Sequence, residues 1–73
     1  MSEAVPIRVR AYAGSRGEEE PRAVEVEGRW RAVEEVDGAW REPGARWFRV
    51  RIEGGELLLL RCDDADLGWW RTS

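Results

Sequence analysis

The chain contains no lysine, no histidine, no asparagine and no glutamine, one cysteine and one methionine in 73 residues. Each absence removes a class of function. Without histidine, the commonest general acid/base and the commonest transition-metal ligand are both missing. A lone Cys62 cannot close an intrachain disulfide or supply a thiolate cage for zinc, so neither usual staple of a small scaffold is available. The longest apolar run, Leu57 to Leu60, falls far short of the ~20 residues a membrane helix needs. Pro6, Arg8 and Arg10 interrupt the first apolar residues, so the start does not read as a signal peptide, and the expected compartment is the cytoplasm.

What remains is unusual. All 12 basic residues are arginine, they stand against 15 acidic ones for a formal net charge of -3, and there are five tryptophans. The run Glu18-Glu19-Glu20 accounts for that net charge by itself, leaving a balanced body. Such a balance argues against a dedicated duplex-DNA binder and leaves room for a local basic stripe. The Arg- and Glu-rich composition fits a thermophile and a GC-rich genome equally. At this length the expectation is one domain spanning residues 1–73.

The periodicity is that of strands. Val5, Ile7, Val9 and Ala11 alternate with polar or bulky neighbours and read as a first strand. Gly14 to Pro21 has turn formers and like charges, and reads as an exposed acidic loop. Ala23 to Val26 meets Trp30 to Val36 across Glu27-Gly28-Arg29. A three-residue connection is preferred, because it pairs Val26 with Trp30 and Val24 with Ala32 on one face. Val33 and Val36 fall out of step with Trp30 and Ala32, which predicts a bulge near Val33; one helical turn from Val33 to Val36 is the alternative. Asp37-Gly38 reads as a turn before a short return strand, Ala39 to Arg41.

From Trp47 to Cys62 the pattern is a hairpin. With Gly54-Gly55 as a two-residue turn, Ile52 faces Leu57 and Val50 faces Leu59 on the core side. Leu58 and Leu60 would then share the other face with Arg49 and Arg51, and something must cover them. Asp63 to Gly68 makes a polar turn, and Trp69-Trp70-Arg71 a last strand. The predicted architecture is all-β: a small antiparallel meander of about six short strands, strongly bent or closed into a barrel. The expected core is Val5, Ile7, Val9, Val24, Val26, Trp30, Phe48, Val50, Ile52, Leu57 and Leu59.

Four tryptophans have an arginine beside them in sequence. Strand neighbours point to opposite faces, so each such indole must meet a guanidinium from an adjacent strand. Two roles compete: a platform on which unstacked bases lie, each stack worth roughly 1–3 kcal/mol, and the filling of a core short of aliphatic volume. Trp69 and Trp70 face opposite ways, so one of them should be partly exposed. The candidate contacts with a ligand or with single-stranded nucleic acid are therefore Trp69, Trp70, Arg49, Arg51 and Arg71.

No catalytic or metal-binding constellation emerges, and no cofactor is expected. Asp63, Asp64 and Asp66 resemble a calcium loop only in spacing, with no closing bidentate glutamate. Gly14-Ser15-Arg16-Gly17 has no lysine or helix start to make a phosphate loop. Cys62 sits beside two aspartates, which disfavour a thiolate. A non-enzyme is the expectation.

Gly28-Arg29-Trp30-Arg31-Ala32-Val33, then Trp40-Arg41-Glu42, Trp47-Phe48-Arg49-Val50 before a glycine turn, a Leu-rich strand and Gly68-Trp69-Trp70, resembles a family of small Trp- and Arg-rich bacterial domains of unknown function. These occur alone or appended to relatives of Y-family DNA polymerases. Ala32, in place of a larger apolar residue, and the Glu18 to Glu20 insert depart from that pattern. The resemblance implies no catalytic residues and suggests an accessory binding module tied to DNA repair, with a nucleic-acid or protein partner. The alternative is a structural domain that forms a homodimer through the Leu58/Leu60 face.

Overall fold

The structure is a computed structural model and describes residues 4–13 and 19–72. Every regular element in it is a strand: β1 (Val5–Pro6), β2 (Val9–Ala13), β3 (Glu19–Val26), β4 (Arg29–Glu42), β5 (Ala45–Ile52), β6 (Leu57–Asp63) and β7 (Trp69–Thr72). They form one antiparallel sheet in the order β1-β7-β6-β5-β4-β3-β2. The all-β meander read from the periodicity is therefore the fold. The predicted first strand is split in two: Val5 and Pro6 pair with Arg71 and Trp70, whereas Val9 to Ala13 pair along β3. Between these pieces Ile7 donates its N–H to Trp69 O (3.2 Å) and Arg8 O accepts from Glu25 N (3.0 Å). One stretch of chain thus runs from one sheet edge to the other and holds the sheet in a tight half-barrel curl. Proline suits this crossing, because it lacks the N–H a central strand would use.

Loop length sets which side chains face inward, and two loops differ from expectation by one residue. The β3–β4 turn is Glu27-Gly28, both with positive φ (53° and 77°), so Val26 pairs with Arg29, Glu25 with Trp30 and Val24 with Arg31. This is the primed two-residue turn that matches strand twist. It puts Val24 and Val26 in the core and turns Trp30 outward, where it is 37% exposed. The predicted three-residue register and the core position of Trp30 are corrected accordingly.

In the β5–β6 hairpin the loop has three residues, Glu53-Gly54-Gly55, closed by Ile52 N–H to Glu56 O and Gly55 N–H to Ile52 O, both 2.9 Å. A one-residue shift in an antiparallel pair moves a whole strand's side chains to the other face. Val50 faces Leu58 and Phe48 faces Leu60. Leu58 and Leu60 are buried at 3% and 0%, while Leu57, expected inside, is 59% exposed and Leu59 is half-buried on the outer face. The Leu58/Leu60 face proposed for a second copy is the interior of this one.

β4 carries the predicted bulge near Val33 and a second one: its register against β5 shifts between Val33 and Glu35 and again between Val36 and Gly38. Each shift inserts one extra residue, so Val33 and Val36, three apart, both pack on the core, while Trp30 and Trp40 both face outward. The Asp37-Gly38 turn, the short return strand and the helical alternative give way to this single bent strand of 14 residues. The reversal comes at Pro43-Gly44, with Gly44 at φ 90° and Glu42 facing Ala45. Proline followed by a positive-φ glycine is the pattern of a type II turn.

The core is Val24, Val26, Phe48, Val50, Ile52, Leu58 and Leu60, with Ile7, Val9, Val33, Val36 and Trp69 packed against it. Val5, expected there, is 53% exposed at the crossing edge. The predicted exposed loop, Gly14 to Pro21, is corrected at its end, since β3 begins at Glu19 and Pro21 is fully buried; its residues 14–18 lie outside the described ones. Asp63 to Gly68 is the expected polar turn, closed by Asp63 N–H to Gly68 O and by Gly68 N–H to Asp66 Oδ1 (2.8 Å).

Candidate ligand-binding surface

Directly opposed residues in an antiparallel sheet share a face. Trp40 opposes Trp47, Trp47 opposes Arg61, and Arg61 opposes Trp70, so one rung across β4, β5, β6 and β7 places three indoles and a guanidinium on the outer face. Trp40 and Trp47 are stacked, with centroids 6.2 Å apart and planes 3° from parallel. The Arg61 Cζ lies 6.0 Å from the Trp47 ring and 5.3 Å from that of Trp70, a cation held between two quadrupoles. Arg61 Nε also comes within 2.9 Å of Asp63 Oδ1. That contact is an ion pair by distance only. The angle makes no hydrogen bond, and Arg61 Nε and Trp47 Nε1 remain buried donors without an acceptor.

The next rung joins Gly38, Arg49, Leu59 and Thr72. Gly38 matters through what it leaves open: a Cβ there would lie 3.5 Å from Arg49 Nη2 and 3.6 Å from the Trp40 ring. The Arg49 head group thus lies across the glycine toward Trp40. Arg51, one rung further, pairs with Glu35 (3.1 Å) and more loosely with Glu34 (3.8 Å). Arg49 has no carboxylate within 4 Å among the described residues. Beside the aromatic rung it is a cation able to take an anion.

Of the sequence-predicted contacts, Trp70, Arg49 and Arg51 come together on this face. Trp69 and Arg71 do not. Trp69 opposes Cys62 and packs at 5.7 Å on Phe48, so it belongs to the core side. Arg71 opposes Leu60 and is tied to Glu56 at 2.9 Å. Sequence reading missed Trp40, Trp47 and Arg61. The signal was the even spacing of Trp40 and Trp47 about Pro43-Gly44, which the competing Asp37-Gly38 turn concealed.

The three aspartates of the last turn are each engaged: Asp63 with Arg61, Asp64 with Arg41 (3.0 Å), and Asp66 with the Gly68 amide. Cys62 is 1% exposed and faces inward. The remaining exposed indole, Trp30, carries the Arg10 guanidinium 4.3 Å above its ring. Arg10 reaches it across β3, where its own partner is the small Ala23.

No family model, no curated protein and no solved structure matches the chain.

Proposed function

We propose that this chain is a non-enzymatic binding module whose outer sheet face receives the bases of a single-stranded nucleic acid, in an accessory role linked to DNA repair. The observation that carries the reading is the exposed Trp40, 40% accessible and backed by Trp47, beside an Arg49 with no carboxylate partner among the described residues. An indole braced by a second indole offers a preorganised stacking surface, and the adjacent guanidinium supplies the phosphate contact. The repair link rests on the resemblance carried by the Trp- and Arg-containing stretches. A non-catalytic role suits the surroundings of Arg51 and Arg61, where Glu34, Glu35 and Asp63 are engaged by these two guanidiniums.

Titrating a single-stranded oligonucleotide into the protein at low salt should quench tryptophan fluorescence, and added salt should reverse it. Trp40→Ala should remove most of the quenching. Unchanged emission in the wild-type protein rejects this reading.

The homodimer reading keeps one supporting observation. With Leu58 and Leu60 inside, the outer face still shows Leu57 at 59% exposure, so a second copy would have to meet Leu57 and Leu59. Sedimentation should then show a dimer that Leu57→Glu disperses; a monomer at high concentration removes the idea.

A further inference from the structure

We propose a second site, independent of the outer-face reading: the corner where the Glu27-Gly28 and Glu53-Gly54-Gly55 turns approach one another binds a phosphate group. A cleft of about 260 Å³ opens there, lined by Arg29, Trp30, Arg31, Glu53 and Gly54. The Glu53 turn is tied to the first residues of β4 by Glu53 N–H to Ala32 O (2.9 Å) and by a long hydrogen bond from Arg31 Nη1 to Glu53 O (3.4 Å).

Two guanidiniums line this cleft, and a third, Arg10, has its Cζ 4.3 Å from the centroid of the Trp30 ring that borders it. A guanidinium over an indole face retains N–H donors for an oxyanion. Arg31 holds the space that any side chain at Gly54 would need, since a Cβ there would sit 3.1 Å from Nη1. Arg29 completes the wall. None of Arg10, Arg29 and Arg31 has a carboxylate within 4 Å among the described residues, whereas Arg41, Arg51, Arg61 and Arg71 each do. Three guanidiniums without a carboxylate are therefore gathered at one end of an acidic chain, apart from Arg49 on the outer-face rung of β5. Glu53 is the carboxylate lining the cleft, and Glu25 opposes Trp30 across β3. These two acids oppose a singly charged anion held by one contact. They are outweighed by an oxyanion with several acceptors, which forked guanidiniums engage through paired charge-assisted hydrogen bonds.

The test reads tryptophan emission while inorganic phosphate replaces chloride at constant ionic strength. A saturable change is expected. It should disappear in Trp30→Phe and in the double variant Arg29→Ser/Arg31→Ser, and Arg31→Lys, which keeps the charge and loses the fork, should weaken it about tenfold. Trp40→Ala should leave it intact, while the double variant should keep oligonucleotide quenching at Trp40, so the two sites fail separately. The source is distinguished by one oligonucleotide with and without a 5′-phosphate: an affinity gain that needs Arg31 assigns the corner to a strand-borne phosphate, and no gain assigns it to free phosphate. A change that chloride reproduces, one that survives the double variant in a protein that still melts cooperatively, or no change at all overturns the proposal.

Discussion

Trp40 and Trp47 face each other across the Pro43-Gly44 turn with their ring planes 3° apart. The hairpin geometry alone brings them together, since the two positions are opposed across a two-residue turn. Such pairs are worth about 0.5–1.5 kcal/mol beyond the area they bury. A double-mutant cycle with Trp40→Ala and Trp47→Ala, followed by urea denaturation, should return a coupling in that range. An additive cycle would show that the rings are merely neighbours.

Leu57 and Leu60 differ by three positions and by the whole thickness of the sheet. Leu60→Ala should cost about 2–5 kcal/mol, as buried leucines do. Leu57→Ala should cost no more than about 0.5 kcal/mol. The reverse order of losses in chemical denaturation, Leu57→Ala the costlier, would mean that the β5–β6 loop has two residues instead of three.

Glu27 holds φ 53°, a conformation unfavourable for a residue with a Cβ. Left-handed backbone costs roughly 1–2 kcal/mol outside glycine and is tolerated by asparagine. Glu27→Asn should therefore raise the melting temperature by recovering part of that cost, with no change in any core contact. A fall in melting temperature would count against the primed turn.

Cys62 is buried beneath the sheet and faces the core. A thiol reagent should label it slowly in the folded protein and at once in denaturant. Rapid labelling under native conditions would place the side chain on the surface and reverse the register of β6.

The strand character of this chain is legible because alternation survives in short pieces: spacing alone puts Phe48, Val50 and Ile52 in the core. The opposition of Trp69 to Trp70 was legible for the same reason. Register was harder, because it depends on whether a loop holds two residues or three, and glycines at Gly54 and Gly55 permit either. Both misread hairpins erred by that single residue. β4 was legible only in part, since extra residues at two bulges make Val33 and Val36 look out of phase with a strand that in fact continues. The outer-face rung was hidden behind these two errors. A turn at Gly38 separates Trp40 from Trp47, and a two-residue β5–β6 loop sets Cys62 rather than Arg61 opposite Trp47.

Every strand pairing except one joins neighbours in sequence; the exception sets Val5 and Pro6 beside Arg71 and Trp70. That pairing acts as a clasp. Local hairpins can form quickly by themselves, whereas bringing the two ends together must wait for the largest loop to close. The clasp has only two paired positions, so it is also the first contact to open, and it lies against the strand that carries Trp70. Amide exchange should show it: Ile7 N–H, bonded to Trp69 O, should exchange faster than the amide of Leu60 in the middle of the sheet. The end of the aromatic rung is thus fastened by the least durable contact in the fold, and a ligand that covers Trp70 would hold the clasp shut.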